Sequence, residues 1–318
     1  MTPGRACQAH ARRVKQSAMS DFRSRLAGLP VLGLGVSTEY GASLAAGALD
    51  PMRLRREHPA YAEFLEVGVE LVKGLDAPAR AWAAAGAPTT YHFLDINLDE
   101  PEDLDAGWLA GVRALCDTLR PAWLCGDAGL WHFGRRDRGH MLLLPPILIA
   151  ESVAPMAEGI AALRAATGLE VLPENPPGTA FVGDLHLLEF FARVAEAADT
   201  GLLLDCAHLA MYQRLTGRAA LDGLDHVPWD RVIELHVAGG SEREHDGFAW
   251  VEDEHGPELL PDTWAIAQVA MRRASNLRAV VVECERNPIA AVLPLFARVA
   301  AVLPTYMRTV SSDRSIDP

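Results

Sequence analysis

Long apolar runs are missing from this 318-residue chain, so nothing in it reads as a membrane-spanning helix. The first 29 residues lack an apolar segment of any length. They carry Arg5, Arg12, Arg13, Lys15, Arg23 and Arg25 against Asp21 alone, which excludes a secretory signal. We read 1–29 as a disordered basic leader, with Met19 as a candidate start, and 305–318 as a flexible tail. Cysteine is also sparse. The five residues Cys7, Cys116, Cys125, Cys206 and Cys284 are an odd number without a CxxC pair, so a disulfide framework is excluded and a reducing cytoplasm is expected. Basic residues are outnumbered, 29 against 42 acidic, for a net charge of −13. That balance argues against a nucleic-acid backbone as partner.

What is present is a rhythm. Short apolar runs recur as VLGLGV (31–36), EFLEVGVE (63–70), TTYHFLDI (89–96), AWLCGD (122–127), LEVLPEN (169–175), GLLLDCAH (201–208), VIELHVAGG (232–240) and AVVVECE (279–285). Each is nearly continuous in Val, Leu and Ile, as strands buried on both faces of a parallel sheet require. Helical stretches separate most of them, at Pro101–Leu119, Glu151–Thr167, Leu185–Ala197 and Pro261–Ala274, with a last one at Pro288–Val302. Eight strand–helix units without a composition break predict an α/β fold, a single (β/α)8 TIM barrel over 30–304. A doubly wound open sheet is the alternative. The GLGVS of the first run lacks the GxGxxG spacing that would favour it.

Ionisable residues fall where an apolar strand tolerates them least. His92 lies in the third run, Asp127 ends the fourth and Glu174 the fifth. Asp205, with His208 three residues on, ends the sixth; His236 lies late in the seventh and Glu283 closes the eighth. Asp253 and His255 follow in the seventh connection. Taken singly, His92 reads as a core histidine, Glu283 as an ion-pair partner and Asp205 as a helix cap. Together, at strand ends that converge on one barrel mouth, they predict a metal cluster with mixed nitrogen and oxygen ligands, suited to Fe, Zn or Mn. Carboxylates so close would otherwise repel one another. Weaker expectations place Glu70, Trp131, His132, Arg135, Asn175 and His245 at the substrate. The loop 128–141 also offers Arg136, Arg138 and His140, and the loop 239–252 Trp250; solvated loops are the bland reading. Cys125, Cys206 and Cys284 read as packing residues.

The ordered motifs FLEVGVE, YHFLDINL, LLPPILIAES, LPENPPG, LLLDCAHL, ELHVAGG, EDEHGPELLPDTW and VVVECER resemble the multinuclear non-heme iron-dependent oxidases, the group that includes the methanobactin-biosynthesis oxidase. The resemblance runs from about Val31 to Val302. It implies a xylose-isomerase-like TIM barrel with two or three irons, and dioxygen as cosubstrate. The substrate it implies is a ribosomally made precursor peptide modified at cysteine or another residue, in some cases delivered by a peptide-recognition partner protein. The iron ligands it implies are His92, Glu174, Asp205, His208, His236, Asp253, His255 and Glu283. Three positions depart from many relatives. Gly68 stands where a histidine is common, Gly126-Asp127-Ala128 replaces Ser-Glu-His and leaves Asp127 as the candidate ligand, and Gly240 replaces a second histidine. The same ligand order resembles endonuclease IV and xylose isomerase, so a metal-dependent phosphodiesterase or sugar isomerase is the rival reading. A non-catalytic peptide-binding barrel is a third.

Overall fold

The computed structural model of the chain describes residues 21–42, 47–100, 103–134 and 142–308. Helix α1 (Phe22–Leu26) precedes β1 (Gly33–Glu39), α2 (Pro51–Glu57), β2 (Phe64–Val69), α3 (Ala77–Ala84), β3 (Thr89–Phe93), α4 (Ala106–Leu119) and β4 (Leu124–Asp127). Then come α5 (Val153–Thr167), β5 (Val171–Glu174), α6 (Leu187–Ala197), β6 (Leu202–Asp205), α7 (Cys206–Leu215), β7 (Val232–His245) and β8 (Phe248–Gly256). The chain closes with α8 (Pro261–Arg273), β9 (Ala279–Glu283), α9 (Ile289–Ala300) and α10 (Thr305–Arg308). Aspartates cap several helices: Asp50, Asp76, Asp105 and Asp205 each accept a backbone N–H three residues on.

Eight strands pair in parallel in the order β1-β2-β3-β4-β5-β6-β7-β9, and β9 returns to β1, so the sheet is a closed barrel. The expected fold class is what the chain adopts. β8 stands outside this ring, antiparallel to the distal half of β7. The connection 239–252, expected as a loop, is therefore a β-hairpin arm at the barrel mouth. Its tip, Asp246-Gly247, has positive φ at both residues (50° and 79°), the two-residue turn whose twist matches a hairpin.

Alternation along each strand divides the barrel. Leu65, Val67 and Val69 of β2 face the helices, as do Leu202 and Leu204 of β6 and Val280 and Val282 of β9. The residues between them point inward. Low in the barrel these are apolar: Phe64, Trp123, Leu172, Leu203 and Val281 form one cluster. Two residues further along each strand the inward positions turn polar and buried, as Glu66, Cys125, Glu174, Asp205 and Glu283.

The leader expected over 1–29 extends too far. Phe22 and Leu26 of α1 pack into the inner apolar cluster and plug the barrel's base. Arg25 is buried, pairing with Glu170 at 2.7 Å, and that pair anchors the helix. The tail likewise starts later than 305, since Met307 in α10 is fully buried. The leader's remainder, 1–20, and the tail's, 309–318, lie outside the described residues. No helix among the described residues is long and apolar enough to cross a membrane.

Candidate metal centre

The inward polar positions meet above the apolar layer. Glu174, at the end of β5, is the hub: its Oε2 lies 2.8 Å from His92 Nε2, and its Oε1 lies 3.2 Å from His236 Nδ1 and 3.5 Å from His208 Nδ1. His236 Nδ1 is 3.3 Å from Glu283 and 3.8 Å from Asp205, and its Nε2 is 2.9 Å from Glu66. His208 Nδ1 is 3.5 Å from Asp127, while its Nε2 reaches Asp253 at 3.2 Å. Asp253 is also 3.3 Å from His255 Nε2. All nine residues expected as ligands are thus brought to one place.

Among the described residues five buried triads have ligand atoms within 4.8 Å of one another; besides Glu66–Cys125–Glu234 they are His92–Asp127–Glu174, Glu174–Asp205–His208, Asp205–His236–Glu283 and Glu66–His92–His236. Each of these last four shares a residue with the next, and the final one shares His92 with the first. The triads therefore form a closed ring, as a multinuclear site with bridging carboxylates would need. Buried atoms without a hydrogen-bond partner test the fit. Asp127 Oδ1, Glu174 Oε1, Asp205 Oδ2, Asp253 Oδ1, Glu283 Oε2 and both His236 nitrogens are such atoms. The His236 nitrogens sit near carboxylates, yet none of these contacts is aligned as a hydrogen bond. Leaving so many buried acceptors unmatched is costly, and cations among them remove the cost. The donor set fits metal ions.

Electrostatics agree with that fit. Burial alone would push the His92 imidazole down, but its bond to Glu174 and the charge of Glu66 outweigh burial and hold it up at about 9. His208, His236 and His255 are held well above the ordinary imidazole value by the carboxylates around them, again against burial. Burial and the neighbouring Glu174 drive Asp127 well up, and burial raises Asp205 to about 7. Asp253 goes the other way: against burial, His255 and His208 hold it well below the usual range. These directions mark the cluster as a place where positive charge is stabilised, as it would be for bound cations.

Further residues complete the site. Glu285 Oε1 lies 2.8 Å from His255 Nδ1, and Ser37 Oγ donates to its other oxygen at 3.1 Å. His255 holds a left-handed backbone, φ 49°, with Asn287 Nδ2 donating to its carbonyl at 2.7 Å. Glu66 and Glu285 are absent from the expected ligand set. The former sits mid-strand rather than at a strand end, and the latter two residues beyond Glu283. Only the two-residue step along each strand, 64-66-68 and 281-283-285, points to them. Cys125 donates from Sγ to Glu66 at 3.1 Å, so it does more than pack. Glu234, bonded by Trp123 at 2.7 Å and raised to about 8 by burial and by Glu66, lies beneath the ring.

The expected substrate residues scatter. Trp131 lines the cavity beside Asp127, to whose carbonyl its indole donates. Asn175 is buried and braces the site, exchanging two 2.9 Å hydrogen bonds with the Asp205 backbone. His132 is fully buried and bonded to Asp103 and the Gly134 carbonyl, away from the cavity. Glu70 pairs with Lys73 outside it. His245, with 80% of its side chain exposed, stands at the hairpin tip. Arg135, Arg136, Arg138 and His140 lie outside the described residues. Of the departures, Gly68 lines the cavity, Ala128 is buried, and Gly240 faces β8 so closely that a Cβ would meet the Glu252 carbonyl at 3.0 Å. The hairpin accounts for that glycine.

A family profile described as RiPP precursor modification enzyme MbnB/TglH/ChrH matches residues 40–302. The chain belongs to this family. Its members act on precursors of ribosomally synthesised and post-translationally modified peptides, as the description states. Among curated relatives, a UPF0276 protein of Acaryochloris marina is 30% identical over 190 residues, 58% of this chain and 66% of the relative. A UPF0276 protein of Rhizobium meliloti is 27% identical over 225 residues, 69% of this chain and 72% of the relative. The first match thus spans just under two thirds of the relative's length. Among solved structures, a xylose isomerase-like TIM barrel protein from Mycobacterium smegmatis, in complex with magnesium, is similar in fold. Its TM-score is 0.51 at 11% identity, over 87% of this chain and 98% of that one.

Proposed function

We propose that this family member is a multinuclear iron-dependent oxidase that uses dioxygen to modify a cysteine of a precursor peptide. The closed ring of ligand triads carries the reading, and the family membership supports a peptide substrate. His92, Asp127, Glu174, Asp205, His208, His236, Asp253, His255 and Glu283 would hold two or three ions, with Glu66 as a further donor. Bound iron would supply one-electron chemistry with dioxygen and a Lewis acid for a thiolate.

The chain's own residues prepare the place. Glu285, fixed by Ser37, accepts the Nδ1–H of His255 and so presents the bare Nε2 to the cavity. Asp205 caps α7, accepting the His208 N–H at 2.5 Å, so one carboxylate sets the position of the next ligand. Leu94, Trp131, Leu143 and Pro177 wall the cavity, which has a volume of about 200 Å³, and limit water around a side chain entering it. Asp253 and His255, whose side chains are 23% and 22% exposed, are the candidate ligands most open to solvent. A proton lost by an entering thiol would leave through them.

The test is elemental analysis joined to oxygen uptake. Protein produced with iron under limited oxygen should carry about two to three irons per chain, as the ligand count allows. With a cysteine-bearing peptide it should consume dioxygen. Zinc at that stoichiometry, with an iron form that takes up no oxygen, would overturn the oxidase reading in favour of a hydrolase.

A further inference from the structure

The hairpin arm supplies no ligand before Asp253, yet it borders the cavity. β8 ends the sheet order and, among the described residues, pairs with β7 on one side only. The two-residue turn fixes which of its backbone groups are free. His245 and Phe248 flank the turn as the first hydrogen-bonded pair, so bonded and non-bonded pairs alternate from there. The N–H and C=O groups of Ala249 and Val251 therefore point away from β7. Along that free edge runs a groove of about 310 Å³, walled opposite by Leu142–Pro145 and by Pro177–Ala180. Trp250, Val251 and Glu252 line its near side, and it ends at Asp253, which also lines the metal cavity. Glu252 and Asp253 of the arm line this groove, while Glu242 and Glu254 are paired with Arg214 and Arg243, the latter the arm's single cation.

We propose that the free edge of β8 docks an extended, basic segment of the peptide substrate as an added strand, aligning the next residues with the metal cavity. Unpaired strand edges bind extended chains through main-chain hydrogen bonds, with side chains giving selectivity. Acidic surroundings select a basic segment, and continuity of groove and cavity at Asp253 sets its direction toward the metals. The proposal rests on a peptide being the substrate.

The probe is a fluorescein-labelled twelve-residue peptide alternating Val and Lys with one central Cys, added to the full chain with and without iron. It should bind, and hydrogen exchange at the Ala249 and Val251 amides should slow. Ala249→Pro removes one outward N–H without touching the ladder to β7, and should weaken binding at least about ten-fold. Ala249→Thr, which keeps the N–H, should bind as the parent does. The counterpart with Glu for Lys should bind at least about ten-fold more weakly. Metal content and thermal midpoint verify that Ala249→Pro is folded, and the exchange measurement decides even if it is not. Unchanged exchange at Ala249 and Val251, parent-like affinity in Ala249→Pro, or equal binding of the acidic peptide would overturn the docking strand. Docking without oxygen uptake would instead overturn the oxidase reading and leave the groove standing. Oxygen uptake unchanged by Ala249→Pro would do the reverse.

Discussion

Removing the metals and raising the pH should unfold this barrel more easily, and His92 sets the scale. Its ordinary value of 6.5 is raised to about 9 in the metal-free fold, because Glu174 and Glu66 outweigh burial. A group raised by folding contributes stability that is complete below its unfolded value and is lost as the pH passes its folded value. The loss from His92 therefore falls between about pH 6.5 and 9, and amounts to about 3 kcal/mol. Asp205, raised to about 7 by burial, acts in the same direction and completes its loss near pH 7. For a chain of this size, about 3 kcal/mol corresponds to a fall of roughly 5–10 °C in thermal midpoint. Bound cations take the place of the protons, so the loaded protein should keep its midpoint across the same range. Scanning calorimetry of chelator-treated and metal-loaded protein at pH 6.5, 7.5 and 9 measures both slopes. A metal-free midpoint that holds or rises from pH 6.5 to 9 would refute the reasoning. So would a His92→Gln variant with the parent's slope.

Four other outcomes follow from the site and its supports. Asp127→Asn should lose about one metal equivalent with little change in thermal midpoint, since an amide is a much weaker ligand than a carboxylate; unchanged metal content would remove Asp127 from the site. Asp205→Ala should lose metal and activity and also about 1 kcal/mol from the uncapped α7, whereas Asp205→Asn should keep the cap; urea titration beside elemental analysis separates the two roles. Glu285→Gln should lower metal affinity by roughly 10–100-fold through His255, read by competition with a chelator, and parent-like affinity would show that Glu285 does not position the ring. Phe22→Ala should cost about 3–5 kcal/mol by emptying the barrel's plugged base, measured by urea unfolding. An effect under about 0.5 kcal/mol would place α1 outside the core.

Much of this was legible because a barrel repeats one instruction. The apolar runs marked the strands, and the charged residue closing each run marked the mouth, which is how Glu174, Asp205 and Glu283 were found. Glu66 was not, because the end-of-strand signal is silent about a residue two steps lower; in β2 that step meets Gly68, which has no side chain to give. Sequence context also could not tell that His132, expected at the substrate, is turned away from the cavity. Its partner Asp103 lies 29 residues away, and the bond satisfies the ring inside the protein. The arm was hidden for a different reason. Glu, Arg and His through 242–245 carry no apolar alternation, since both faces of that stretch are exposed, and the Asp246-Gly247 turn was its one local mark. α1 was obscured by its arginines, of which Arg25 is buried against Glu170 rather than solvated.

β7 is one unbroken strand of 14 residues that begins in the barrel wall, passes His236 and runs on to the tip of the arm. The return strand delivers Asp253 and His255 to the same centre. Everything between, from Ser241 to Glu252, is therefore an excursion bracketed by ligands, and its length is under a parity rule. Removing or adding two residues from each strand leaves every remaining side chain on its original face and keeps the alternation of bonded and non-bonded pairs. A single insertion flips the faces beyond it unless the turn, or the bulge at Gly239/Gly240, absorbs the extra residue. The arm can thus lengthen or shorten in such paired steps while Asp253 and His255 keep their places beside the barrel mouth.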